Sequence, residues 1–166
     1  MERFLAAASA LSLGLVFGIV FINSLRRYTL GKSFEWGEEL PIYLAAYGVM
    51  FGLGLAYLQD RHIRFTILTD LLPDSVRKAV LLVGDVAVAA VGGMLVWSGI
   101  AFSERRGGVD ASGLIGNAKA LSESMGAEWI VWFGRMGTYQ ASIAVGGGIL
   151  LAAAFVRLAT RVAEKP

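Results

Sequence analysis

The chain has 166 residues, of which 56% are hydrophobic and only 17% are charged, and its formal net charge is +2. Soluble globular domains carry about 25% charged residues, so this composition predicts long segments buried in lipid. The Lys and Arg residues are scattered at the ends of apolar segments rather than gathered in a stripe, which argues against a nucleic acid partner. The chain contains no Cys, which excludes disulfides and thiolate metal ligands.

Four apolar segments are each long enough to cross a bilayer as a helix, which takes about 20 residues. We predict transmembrane helices at about residues 4–25, 40–58, 79–103 and 129–156. The first segment exceeds the ~7–15 residues of a signal-peptide core and ends in Arg26-Arg27, so we expect a retained helix. The predicted fold is an all-α integral membrane protein, one membrane domain over residues 1–166, with a short interfacial segment between the first and second helices.

The connector between the first two segments, residues 26–39, places cations, carboxylates and aromatic residues between two uncharged runs. Its aromatic rings suit the headgroup interface of a bilayer. Its charges could pair with each other and fold the connector back on the membrane, or they could dock onto a partner. Exposed ion pairs contribute only about 0–1 kcal/mol, whereas desolvation by a partner makes such charges matter more. The candidate docking residues here are Arg26, Arg27, Tyr28, Trp36, Glu38 and Glu39.

The second segment carries a proline and a pair of glycines with structural meaning. Pro41 is expected in the first helical turn, where a missing N–H costs nothing. Gly48 and Gly52 share one helix face and would permit close approach of another helix, so both are candidate interface residues. The same spacing also arises by chance in a chain with 21 glycines.

Two charged residues fall inside the predicted helices, Asp85 in the third and Arg135 in the fourth. The apolar residues of the third segment offset the cost of inserting Asp85, and the Arg135 side chain can extend to the nearer interface. In antiparallel neighbours these charges would lie about 12 Å apart in depth, so we do not expect them to pair. We expect Asp85 to meet Arg61, Arg64 or a partner subunit.

The remaining connectors indicate orientation and one further helix. Residues 104–128 are rich in Gly and Ser, with an amphipathic stretch at 114–125 suited to the membrane surface. The side that carries both termini holds eight Lys and Arg residues, against six on the other side. The positive-inside rule therefore favours cytoplasmic N- and C-termini.

The sequence lacks the patterns that catalysis requires. It has no HExxH, no phosphate-binding loop and no cluster of metal-ligating residues. Its single His, His62, excludes a bis-histidine haem. The first apolar segment also lacks the carboxylate that a small proton-coupled exporter would use. We predict that the protein is not an enzyme and binds no cofactor or metal.

The charged connector and the helix after it carry an ordered set of residues. The members of that set are Arg27, Tyr28, Trp36, Glu38, Glu39, Leu40, Gly52, His62 and Ile63. This order resembles the DctQ-type small membrane subunit of tripartite ATP-independent periplasmic (TRAP) transporters, with its R-Y-x-F, W-x-E-E-L and H-I-x-V-D elements. The chain departs from it at Leu30, at Pro41 and at Phe65-Thr66. The resemblance covers about residues 20–75, and the second half fits only as two more membrane helices.

The resemblance implies a scaffold subunit in the bacterial inner membrane that stabilises a large, DctM-type subunit of a sodium-coupled importer. A periplasmic DctP-type protein would deliver an organic anion, such as a C4-dicarboxylate, sialic acid or a similar carboxylate. Membrane lipids are further partners, and His62 and Arg64 are further docking candidates. Two alternatives stay open: a membrane anchor or assembly subunit of another complex without a transport role, and a self-sufficient small transporter acting as a homodimer.

Overall fold

The computed structural model describes residues 1–59 and 72–163, and these are almost entirely helical. The helices are α1 (Glu2–Leu30), α2 (Trp36–Leu58), α3 (Asp74–Arg106), α4 (Ile115–Met125), a 3-10 helix (Glu128–Gly134) and α5 (Met136–Ala163). Helices α1, α2, α3 and α5 are long and apolar enough to cross a membrane. The prediction of an all-α protein with four membrane-spanning helices is confirmed.

The first two helices extend further than predicted and absorb most of the charged connector. Helix α1 continues to Leu30, where Gly31 adopts φ 67° and donates its N–H to the carbonyl of Arg27. This left-handed residue ends the helix without a steric penalty. Only residues 31–35 link α1 to α2. Pro41 therefore lies inside α2 rather than in its first turn, contrary to the prediction.

The four long helices pack side by side in the order α1, α2, α5, α3. Helices α2 and α5 run parallel to each other, while α1 and α3 run antiparallel to their neighbours in the row. The broad faces of this layer and its outer flanks are uncovered within the described chain. Phe17 on α1 and Trp97 on α3, for example, are 72% and 78% exposed. We call the end of the layer where α1 begins the first end, and the end where α1 finishes the second end.

Small residues allow the helix backbones to approach closely. A Cβ added to Gly92 of α3 would lie 2.9 Å from the backbone nitrogen of Leu151 and 3.0 Å from the carbonyl oxygen of Gly147, both on α5. The buried residues of α3 are Asp85, Gly92 and Gly99, spaced by seven positions or about two helical turns. A single stripe of α3 therefore faces α5, as van der Waals packing between membrane helices requires.

The segment between α3 and α5 folds over the second end of the layer. The predicted amphipathic stretch forms α4, and the residues before and after it pair as extended backbone. The N–H of Ala111 donates to the carbonyl of Gly134 at 2.8 Å, and the N–H of Met136 donates to that of Val109 at 2.9 Å. Helix α4 thus lies where the amphipathic stretch was predicted, and the predicted segment between α1 and α2 corresponds to the short link at residues 31–35.

Arg135 lies outside the last long helix, contrary to the prediction that it lies within it. The apolar run that begins at Trp129 folds first as the 3-10 helix, and α5 begins only at Met136. Arg135 itself is extended, at φ −108° and ψ 139°, in the backbone pairing with Asp110. Two residues of this run pack inward: Ile130 is buried, and Gly134 contacts Ile115 of α4. Trp129, Trp132 and Phe133 are exposed.

Candidate functional site

Glu39 lies near the start of α2 and connects this helix to the segment that follows α3. Its carboxylate accepts hydrogen bonds from the hydroxyl of Tyr43 at 2.6 Å and from the backbone N–H of Gly113 at 2.7 Å. Gly113 belongs to the segment between α3 and α4, and a Cβ there would lie 2.7 Å from the carbonyl oxygen of Glu35. A glycine at this position lets the segment come close enough for Glu39 to bind it.

Three tyrosines extend this contact from α2 to α5. The rings of Tyr43 and Tyr139 stack with centroids 4.1 Å apart and planes at 9°. The Tyr47 hydroxyl donates to the carbonyl of Thr138 at 2.6 Å. The Tyr139 hydroxyl donates to the carbonyl of Phe133 at 2.5 Å. We call Glu39, Tyr43, Gly113 and Tyr139 the Glu39 cluster.

Two of the predicted docking residues, Arg26 and Trp36, pack on the chain itself. The guanidinium carbon of Arg26 lies 3.7 Å from the centroid of the Phe34 ring, and the Phe34 and Trp36 rings lie 5.1 Å apart. The N–H of Phe34 donates to the Asn23 side chain at 2.7 Å, which fixes the link against α1. A cation–π contact of this kind stabilises the link, and the stabilisation is larger where the guanidinium is more desolvated.

The charges of the predicted connector do not pair with each other. Among residues 1–59 and 72–163, no ion pair joins Arg26 or Arg27 to Glu38 or Glu39. Arg27, Tyr28 and Glu38 are exposed, and Tyr28 is 85% exposed. These three residues are therefore the predicted docking residues of the connector that stay open to a partner.

The close helix approach predicted at Gly48 and Gly52 is made within the chain, to α1. A Cβ at Gly48 would lie 3.0 Å from that of Ser12, and one at Gly52 would lie 3.2 Å from the hydroxyl of Ser9. The Ser9 hydroxyl also donates to the carbonyl of Gly48 at 3.0 Å. This glycine face is consequently covered by α1.

The remaining docking candidates, His62 and Arg64, lie outside the described residues, as does Arg61.

Asp85 lies at the centre of a buried ionic cluster near the first end. It is 2% exposed, accepts a hydrogen bond from the Tyr57 hydroxyl at 2.6 Å, and has its Oδ2 2.5 Å from Nε of Arg161. The guanidinium carbon of Arg157 lies 5.0 Å from the centroid of the Tyr57 ring. We call Tyr57, Asp85, Arg157 and Arg161 the Asp85 cluster. It joins α2, α3 and α5, and a charge at this depth needs such partners.

Asp85 lies in a helix as predicted, but its partner Arg161 is not among the partners expected from the sequence. The expectation that Asp85 and Arg135 do not pair is confirmed, since the two lie near opposite ends of the layer. The fourth helix was predicted to end at about residue 156, before Arg161, whereas α5 continues to Ala163. The four-residue spacing of Arg157 and Arg161 was the available signal, because it puts both on one face of a longer helix.

The described residues contain no group of three or more His, Asp or Glu side chains placed to hold a metal ion. The Glu39 cluster and the Asp85 cluster hold the fold together. The carboxylate of each binds a residue that is distant in the sequence.

The family model and the relatives that match this chain all come from TRAP transporters. A family model described as the DctQ component of tripartite ATP-independent periplasmic transporters matches residues 16–164. A putative TRAP transporter small permease protein of Haemophilus influenzae is 30% identical over 88 residues, which are 53% of this chain and 53% of that protein. The sialic acid TRAP transporter permease protein SiaT of Haemophilus influenzae is 33% identical over 63 residues, 38% of this chain and 10% of that protein. The chain thus spans about half the length of the first relative.

Proposed function

The chain belongs to the DctQ family of tripartite ATP-independent periplasmic transporters, and we propose that it is the small membrane subunit that holds and stabilises a large, DctM-type membrane subunit. The observation that carries the proposal is the family match, which covers most of the chain, including the second half of α1, all of α2 and α3, and the membrane-spanning part of α5. In this role the protein is a scaffold without enzymatic activity.

The single-layer packing supports a scaffold role. A row of four helices presents a broad apolar face, whereas a closed bundle of the same helices would bury much of it. Helix α1 contributes large exposed side chains such as Phe4, Leu11 and Phe17. Lipid alone can cover such a surface, but so can the helices of a larger subunit, with better van der Waals complementarity.

The open residues of the second end are the proposed docking contacts. Arg27, Tyr28 and Glu38 are exposed on the α1–α2 side of the layer. A cavity of about 340 Å³ lies between Arg27 and Glu38, and its lining includes Asn23 and Gly37. A partner that desolvates these charges would gain specificity from them. His62 and Arg64 remain predicted docking residues.

The proposed transport system takes an organic anion together with sodium across the bacterial inner membrane. A periplasmic DctP-type protein would deliver the anion, a C4-dicarboxylate, sialic acid or a similar carboxylate, and the name of the SiaT relative supports this class. We place the termini in the cytoplasm on the Lys and Arg count, which becomes eight against seven once Arg135 is counted at the second end, so the second end would face the periplasm. The transport site itself is assigned to the large subunit, because Asp85, the described acidic residue buried in a spanning helix, is already paired with Arg161.

The test is co-expression of the tagged chain with the neighbouring reading frames, followed by purification in mild detergent and reconstitution into liposomes. We expect the large subunit to co-purify and uptake to require both membrane subunits. A tagged, unrelated four-helix membrane protein serves as the control for non-specific capture. A lone homodimer, or uptake by this chain alone, would contradict the scaffold role. Haem or flavin absorbance in the complex would favour the anchor alternative.

A further inference from the structure

A groove at the first end lies between the start of α3 and the last turns of α5, and the proposed function makes no use of it. Its volume is about 450 Å³. Its polar side is formed by Asp74, Arg77, Lys78 and Arg161, and its apolar side includes Leu81 and Leu82. The groove is thus charged toward the helix start and apolar along the part of α3 that enters the membrane.

The charge of the groove favours an anion. Among the described lining residues three cations face one carboxylate, and these groups keep a net positive formal charge even when Asp85, the partner of Arg161, is counted with them. Arg161 presents a fixed orientation because its Nε approaches Asp85. A guanidinium has five N–H donors in a planar fork, so one edge can bind Asp85 while the terminal amino groups serve another acceptor.

The apolar side of the groove favours a lipid over a soluble anion. Leu82 is 42% exposed, and it lies one turn of α3 beyond Lys78. An acyl chain can run along this surface while its phosphate stays beside the cations at the helix start. Basic pockets between membrane helices are a recognised way of holding acidic lipid headgroups. We propose that this groove is a binding site for an anionic phospholipid, with the phosphate held by Arg77, Lys78 and Arg161.

Native mass spectrometry of the full chain, stripped of lipid in a neutral detergent, tests the proposal. Phosphatidylglycerol and phosphatidylcholine are added in equal amounts, and preferential retention of phosphatidylglycerol is expected. The double variant Arg77→Gln/Lys78→Gln should lose about 30-fold in affinity for phosphatidylglycerol, since a cation near the membrane surface contributes about fivefold. The matched control is Arg105→Gln/Arg106→Gln at the other end of α3, which removes the same charge and should keep the wild-type affinity.

A second measurement distinguishes binding of the whole lipid from binding of phosphate alone. It uses the wild-type chain, so it does not depend on whether a variant folds. A photoactivatable phosphatidylglycerol should cross-link the wild-type chain within residues 74–82, and inorganic phosphate at the same concentration should not displace it. Equal retention of the two lipids would overturn the proposal, as would equal losses in the two double variants. Displacement by inorganic phosphate would overturn the lipid assignment.

Discussion

At the scale of single residues, Glu39 shows that a residue of the family motif serves the chain's own fold. It accepts hydrogen bonds from α2 and from the segment after α3, and its side chain is partly buried between them. Neighbouring Glu38 is exposed. Two adjacent carboxylates of one motif therefore have different roles, and only the structure distinguishes them.

Glu39→Ala is expected to lower the stability of the protein by about 1–3 kcal/mol, because the Gly113 N–H and the Tyr43 hydroxyl lose their acceptor. Glu39→Gln keeps one acceptor oxygen, so its stability should fall between that of the wild type and that of Glu39→Ala. Thermal unfolding in detergent, followed by circular dichroism, provides the measurement. The control is Glu38→Ala, which should stay within about 0.5 kcal/mol of wild type. Equal losses in the two alanine variants would refute the internal role of Glu39.

The Asp85–Arg161 ion pair should behave as a coupled unit. Breaking a buried pair by removing one partner costs about 3–5 kcal/mol, and Arg161, with 23% of its side chain exposed, places the loss toward the lower value. Asp85→Ala and Arg161→Ala should each destabilise the protein, and the double variant should cost clearly less than their sum. A double-mutant cycle of thermal unfolding measures this coupling.

The matched control for that cycle is Lys119 with Asp110, an ion pair at 3.7 Å whose side chains are 58% and 50% exposed. Its coupling should be within about 0–1 kcal/mol, because solvent screens exposed charges. Additive losses at Asp85 and Arg161 would show that the two residues act independently.

At the scale of helices, glycines set the distance between α3 and α5. Gly92 faces α5, whereas a Cβ on its neighbour Gly93 would meet nothing within 4 Å. Gly92→Val should therefore push the two helices apart and destabilise the protein by about 1–3 kcal/mol, as over-packing does elsewhere. Gly93→Val makes the same chemical change on the open side and should be well tolerated. The comparison is made by thermal unfolding, and similar losses in both variants would contradict the packing role.

The positions of the helices could be read from the sequence, but their ends could not. Spanning helices are long apolar runs because every backbone polar group in lipid needs an internal partner. Beyond the apolar core the helical hydrogen bonds simply continue, so Arg26 and Arg27 extend α1, and Arg161 lies in α5. Hydropathy carries no information about these polar turns.

Non-local contacts account for the other differences. The start of α5 depends on the pairing of residues 109–111 with 134–136, and this pairing leaves Arg135 outside the helix. The distant partner of Glu39 is the backbone N–H of Gly113, a contact that no side-chain pattern signals. The sequence left open whether the connector charges pair with each other or dock onto a partner, and the structure gives Arg26 an aromatic partner and Glu39 a backbone one.

At the scale of the whole molecule, the layer has two flanks that differ in what they could offer a larger subunit. Helix α1 forms one flank and brings the exposed Arg27 and Tyr28 to the second end. Helix α3 forms the other flank, and it brings the exposed Arg105 to the second end as well. The family motif lies on the α1 side, so the α1 flank is the one that we propose faces the large subunit.

Charge reversal on the two flanks decides between them. Arg27→Glu should weaken co-purification of the large subunit by about tenfold or more, because a desolvated charge of the wrong sign costs several kcal/mol at an interface. Arg105→Glu makes the same change on the α3 flank and should leave the yield of the complex unchanged. Both variants should insert and keep wild-type circular dichroism, since neither residue is buried in the described structure. Loss only in Arg105→Glu would move the docking face to α3, and no loss in either would remove Arg27 from the proposed interface.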